Sequence, residues 1–206
     1  MLQNRVDPFG NIIYTPARGA WTGNRGILHD DDKQIRRLFQ LKAWITCTLE
    51  YKGRRREVMS PRTWTELFFL DEATAFSAGH RPCFFCRNQE AKNFKMHWIK
   101  GNPGYGFTME TSVQELDKVL HLERISKDKQ KRTHEADIQL LPDSAFISLD
   151  GQPYLVKGAH LHLWTPFGYE GSIDRPGSGK AVLLTPPTIV NAFRAGYVAQ
   201  INLPNS

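Results

Sequence analysis

Only three cysteines occur among the 206 residues, too few for the disulfide framework that staples a small secreted domain. No stretch approaches the roughly 18 consecutive apolar residues that a membrane-spanning helix needs. The opening segment Met1-Leu2-Gln3-Asn4-Arg5-Val6-Asp7 also lacks the apolar centre of a secretory signal. The expectation is a cytoplasmic protein with no membrane partner, in a compartment reducing enough to leave thiols free as metal ligands. There is no exact internal repeat and no long low-complexity tract. A complete phosphate-binding loop is missing as well. In Arg175-Pro176-Gly177-Ser178-Gly179-Lys180, Ala181 stands where a magnesium-binding hydroxyl is needed, and Asp174 stands where the first glycine belongs. Nucleotide hydrolysis of that kind is excluded.

What is present is an ordinary globular composition, 40% hydrophobic and 23% charged, in a chain long enough for one large domain or two small lobes without help from a metal. The formal charge of +6 is unevenly placed. Residues 1–100 carry 17 Lys plus Arg against 10 Asp plus Glu, whereas 101–206 carry 10 against 11. A basic first half steers and retains polyanions, so nucleic acid, DNA before RNA, is the expected partner. The candidate phosphate contacts are Arg36, Arg37, Arg54, Arg55, Arg56 and Arg87. The bland counterpart is a solvated basic surface. Oligomeric state is not written in the sequence.

Turn residues crowd the first 28 positions, which predicts irregular chain pinned by Phe9, Tyr14 and Trp21. Asp31 or Asp32 can cap a helix with Ile35, Leu38 and Phe39 on one face. From Trp44 to Tyr51 the period drops to two, the mark of a strand. Lys52-Gly53-Arg54 would turn it into a second strand over 56–59 with a basic tip. Asp71 can cap a two-turn helix that Gly79 ends, and a helix over 88–99 runs into the breaker Gly101-Asn102-Pro103-Gly104. A further helix over 112–124 precedes a hairpin about Asp150-Gly151-Gln152-Pro153. Short strands are expected at 159–164, 181–184 and 197–201, and a short helix at 189–195. The fold class is α+β: a small zinc-stabilised α/β lobe over 1–104 with a basic surface, then a lobe over 105–206 that is mostly β with short helices.

Cys83-Phe84-Phe85-Cys86 carries the sharpest chemistry. Two cysteines separated by two residues let a tight turn aim both sulfurs at one ion, and thiolates suit zinc. A structural site needs four ligands. Cys47 is the one remaining cysteine, either a ligand or a small core residue on its strand. An imidazole completes the set: His80, three residues before Cys83, with His97 and His29 as the other candidates. The expectation is one zinc per chain on Cys47, His80, Cys83 and Cys86. A redox pair is the competing reading of the same spacing.

The segment Glu72-Ala73-Thr74-Ala75-Phe76-Ser77-Ala78-Gly79-His80-Arg81-Pro82-Cys83-Phe84-Phe85-Cys86 resembles the end of the Ada-type metal-binding domain. There a short helix leads into Gly-aromatic-Arg-Pro-Cys-x-x-Cys. The resemblance spans about residues 44–98 and is sharpest over 72–86. It implies a four-cysteine zinc module whose last two ligands match Cys83 and Cys86, together with DNA contact. The family's first two ligands are an upstream cysteine pair, one of which accepts a methyl group from a DNA phosphotriester. This chain has only Cys47 upstream, one thiolate short of that arrangement.

Two other readings stand beside a zinc-containing nucleic-acid-binding protein. One is a nucleic-acid-modifying enzyme with a structural zinc and a catalytic cleft between the lobes, which convergence of His29, Asp30, Glu66 or His160 and His162 around a pocket would favour. The other is a non-catalytic interaction protein. His160-Leu161-His162 places two imidazoles on one strand face, with Glu170 or Asp174 as a possible carboxylate partner. No complete catalytic set can be read along the chain.

Overall fold

A computed structural model describes residues 1–53 and 57–203 of the chain, which form two six-stranded sheets joined by four α-helices. The first sheet holds β1 (Gln3–Val6), β2 (Ile12–Tyr14), β3 (Trp21–Asn24), β4 (Ile45–Cys47), β5 (Leu67–Phe69) and β6 (Arg81–Pro82), in the order β2-β1-β5-β3-β4-β6. Within it β1 and β5 run parallel, as do β4 and β6. The second sheet is antiparallel throughout. It consists of β7 (His134–Asp137), β8 (Phe146–Leu149), β9 (Gln152–Lys157), β10 (His160–Thr165), β11 (Gly168–Asp174) and β12 (Lys180–Leu183), ordered β11-β10-β9-β8-β12-β7. The helices are α1 (Glu72–Ser77), α2 (Asn88–Gly101), α3 (Val113–Arg124) and α4 (Pro187–Arg194). The class is α+β, with a mixed first half and a mostly β second half. No helix among the described residues is long and apolar enough to cross a membrane.

Local chemistry accounts for much of this. Asp150 and Gly151 both adopt positive φ, 49° and 77°, the pair of left-handed residues that closes a two-residue hairpin between β8 and β9. Asp71 caps α1: one of its carboxylate oxygens accepts from the Thr74 N–H at 2.8 Å. Gly79 follows at φ 87° and releases the chain toward the cysteine turn, as a glycine stop predicts.

α1 is the hub. All six of its residues are buried, and its first turn gathers partners from distant chain. The second Asp71 oxygen accepts from the Tyr169 hydroxyl at 2.7 Å and from the Asn202 N–H at 3.1 Å. Glu72 accepts from the Tyr197 hydroxyl and the Gln200 N–H, each at 3.0 Å. The indole N–H of Trp164 donates to Thr74 Oγ1 at 3.0 Å. Around these bonds one apolar cluster draws Phe76, Phe94 and Trp98 together with Leu116, Phe146, Leu155 and Phe193. Burial of such side chains contributes about 1.5–3 kcal/mol each.

Several expectations are corrected. No helix forms over 31–39: the Asp30 carboxylate accepts from the Asp32 and Gln34 N–H groups at 3.0 and 2.9 Å and pairs with Arg36 at 2.5 Å. That side-chain alternative to helical bonding folds the segment into a turn closed by a bridge between His29 and Ile35. The strand expected over 44–51 ends at Cys47, and residues 57–59 are irregular. The tip residues Arg54, Arg55 and Arg56 lie outside the described residues. Residues 197–201 form no strand, because the Gln200 N–H bonds Glu72 rather than a sheet edge. The first 28 residues, expected to be irregular, contribute three strands.

Gly23 shows why β3 is easily overlooked. A Cβ built there would stand 2.1 Å from the Ile45 carbonyl oxygen on β4, so only glycine lets the two strands approach. We expect Gly23→Ala to destabilise the fold by about 1–3 kcal/mol, the range for overpacking. A lowered urea midpoint at constant slope measures it; an unchanged midpoint contradicts the tight register.

Candidate metal centre

β4 lies between β3 and β6, and its parallel pairing with β6 sets Ile45 opposite Arg81 and Thr46 opposite Pro82. The ladder extends one step further, since the Cys83 N–H donates to the Thr46 carbonyl at 2.9 Å. Register alone therefore brings Cys83 alongside Cys47, 36 positions earlier in the chain. The chain then turns as a single helical loop, with the Arg87 N–H donating to the Cys83 carbonyl at 2.9 Å. Residues three apart meet on such a turn, and Cys86 returns to Cys83.

The three sulfur atoms lie within 4.8 Å of one another, and none forms a disulfide. Zinc–sulfur bonds of about 2.3 Å require neighbouring sulfurs about 3.8 Å apart in a tetrahedron, so small side-chain shifts seat one ion. Backbone groups support the negative charge. The Phe85 N–H points at Cys83 Sγ over 3.4 Å, and the Thr48 N–H favours the Cys86 thiolate. Cys83 is held well below the usual thiol range by hydrogen bonding from Cys47 and then from Cys86, against the opposing effect of burial. Donating that bond raises Cys47. Each sulfur thus lies within the reach of the other two, and hydrogen bonding among them favours negative charge on Cys83. The residues present thus fit zinc or a similar thiophilic ion, whose binding to sulfur displaces thiol protons.

A pH dependence follows with a definite sign. Protons compete with the ion for the three sulfurs, so affinity falls as pH falls. Competition against a chromophoric chelator between pH 6 and 8 measures the slope. A flat profile contradicts a thiolate site.

Cys47, Cys83 and Cys86 are brought together; His80 is not. The His80 ring is buried. Its Nε2 accepts from Arg25 Nε at 2.9 Å and its Nδ1 donates to the Ile45 carbonyl at 3.1 Å, so both ring nitrogens are committed. Burial, then the charge of Arg25, holds this imidazole neutral, well below its ordinary range. Beside it the guanidinium carbons of Arg25 and Arg124 lie 3.9 and 4.1 Å from the Trp44 ring centroid, buried cation–π contacts. His29 bonds Thr65 Oγ1 at 2.6 Å and His97 bonds the Asn93 carbonyl at 2.9 Å; neither joins the sulfurs. Among the described residues no fourth His, Cys, Asp or Glu completes the group.

Arg87, expected at a phosphate, is turned inward. It is 3% exposed, donates to Glu72 Oε1 at 2.5 Å and to Thr46 Oγ1 at 3.1 Å, and lies 4.0 Å from the Trp21 ring centroid. Arg36 is exposed but paired with Asp30, and Arg37 is exposed. The inward set, Arg25, Arg81, Arg87 and Arg124, carries no sequence signal of its own. The pair Asp71-Glu72 was legible as a cap and an adjacent acid, not as a hub.

Away from the sulfurs, a cavity of about 840 Å³ opens against the second sheet. His160, His162 and Tyr169 form one wall, and Phe193, Tyr197 and Ile201 contribute to another. His160 Nδ1 stands 3.4 Å from Asp174, and no third ligand makes a metal site of the two histidines among the described residues. Of the alternatives for a cleft, His160 and His162 do line this cavity, while His29 and Asp30 lie elsewhere, near Thr65 and Arg36. Compared with known proteins, the chain matches no family model, no curated protein and no solved structure.

Proposed function

We propose that this is a zinc-binding protein that contacts nucleic acid, DNA first, through phosphates. The convergence of Cys47, Cys83 and Cys86 within 4.8 Å carries the metal part of this reading. One ion per chain would tie β4 to the turn before α2 and hold that corner of the first sheet. Because the chain has a sizeable core of its own, metal removal loosens this corner rather than unfolding the molecule. A reducing cytoplasm is the compartment that suits three free thiols.

The nucleic-acid part rests on charge. Of the seventeen cations in residues 1–100, Arg25, Arg81, Arg87 and Lys95 are buried. Arg36, Arg37, Lys42, Lys52 and Arg62 are exposed, and Arg54-Arg55-Arg56 adjoins them in sequence. Such cations bind phosphates without reading bases. The test is a titration of single- and double-stranded DNA over a salt series. Log affinity should fall linearly with log salt, at about 0.9 per phosphate neutralised on duplex. An Arg36→Ala, Arg37→Ala double variant should flatten that slope. Absence of binding at low salt refutes this part and leaves the metal part standing.

A second reading, an enzyme, is favoured by one observation. The 840 Å³ cavity brings two histidines and two tyrosines to one concave surface, the usual form of a small-molecule site. Loss of ligand-induced thermal stabilisation in a His160→Ala, His162→Ala variant would support it.

A further inference from the structure

All three cysteines, all seven histidines and every Asp and Glu fall within the described residues; the six positions outside are Arg54, Arg55, Arg56, Pro204, Asn205 and Ser206. No fourth side chain of the ligating kinds joins the sulfurs among the described residues. The histidines closest in sequence are committed elsewhere: His80 to Arg25 and Ile45, His29 to Thr65, and His97 to Asn93. Zinc is four-coordinate, and sites in which the protein supplies three ligands keep the fourth position for an exchangeable group.

Exposure agrees with this count. Cys83 is buried, but Cys47 and Cys86 are only half-buried. Phe85, between the two cysteines of the turn, is 64% exposed. Its ring meets that of Tyr51 at 5.3 Å, and Lys52 Nζ lies 5.5 Å from the Tyr51 ring centroid. The centre therefore opens at the surface beside an aromatic pair carrying one cation. An ion already bound by three soft sulfurs favours a soft fourth donor over carboxylate or phosphate oxygen. The aromatic rim offers apolar contact to the carbon of a small thiol.

We propose that the Cys47/Cys83/Cys86 centre holds its ion through three protein thiolates and takes a low-molecular-weight thiol as an exchangeable fourth ligand. The step is ligand exchange without redox change. A water leaves the ion, a metal–sulfur bond forms, and the thiol proton passes to solvent. This inference rests on the metal-binding reading, so the experiment separates the two.

The 206-residue chain is loaded with Co(II) under a phosphine reductant, and its visible and near-ultraviolet absorption is followed while 2-mercaptoethanol is added. Expected are one Co(II) per chain with tetrahedral absorption, and a saturable rise of about one-third in sulfur-to-metal charge transfer as three sulfurs become four. Acetate and inorganic phosphate at equal concentration should leave the spectrum in place. Failure to bind Co(II) or zinc overturns the metal-binding reading itself. Stoichiometric binding with a spectrum that thiol does not move overturns only the open fourth position. An equal response to acetate or phosphate overturns the preference for thiol. Metal-dependent dimerisation, with four protein ligands per ion by X-ray absorption, assigns the position to a second copy and overturns the exchangeable ligand.

Discussion

Replacing Glu72 by alanine is expected to cost about 3–5 kcal/mol of stability, because it strands a buried charge. Both partners of the Glu72–Arg87 pair are almost wholly enclosed, with side chains 4% and 2% exposed. The carboxylate also serves the Tyr197 hydroxyl and the Gln200 N–H, so one substitution leaves three donors short. Chemical denaturation measures the loss as a shift in midpoint at constant slope. The companion variant tests the cause. Arg87→Met removes the stranded charge, and in the Glu72→Ala background it should recover part of the stability, giving a clear coupling between the sites. Strict additivity would show that the cost comes from lost packing. A Glu72→Ala loss below about 1 kcal/mol, the value of an exposed pair, would contradict the buried geometry altogether.

The second large effect is on metal affinity. Cys83→Ser replaces the sulfur that both other cysteines face, and the variant should bind zinc more weakly by roughly a hundredfold to a thousandfold. That range takes the apparent 10–16 kcal/mol of structural zinc sites as shared among the ligands. Elemental analysis after dialysis should find about one zinc per parent chain and little in the variant. Cys47→Ser should behave alike, whereas His80→Ala should keep its zinc, since that ring faces Arg25 and the Ile45 carbonyl. Retention by Cys47→Ser and loss by His80→Ala would reverse the assignment.

Features set by neighbours in sequence were legible in advance. The Asp71 cap, the Gly79 stop, α2, α3 and the hairpin about Asp150-Gly151 each declare themselves within a few residues. Cys83 and Cys86 belong to this group, because their spacing needs only one turn to work. Cys47 joins them through β4–β6 pairing across 36 positions, which no local pattern encodes; ligand arithmetic alone pointed to it. His80 misled for the converse reason. Its spacing to Cys83 suits a ligand, but Arg25, 55 residues earlier, takes its free nitrogen. Arg87 misled similarly, since its charge marks a surface until Glu72 is known to face it. The acidic run Asp30-Asp31-Asp32 reads equally as a helix cap and as a turn, and the turn prevailed because Asp30 collects three donors at once.

The bonds that converge on α1 also bear on the order in which the molecule comes together. Asp71 and Glu72 bond residues 98, 125, 128 and 131 positions later in the chain. Closing contacts of such span loses much chain entropy before any stabilisation is returned, and slows folding. On the ribosome, the two carboxylates emerge long before residues 169–202 exist to cover them. During that interval the first sheet carries an open seam of acid and apolar surface. A chain stalled between α3 and β11 would be the species most in need of a chaperone.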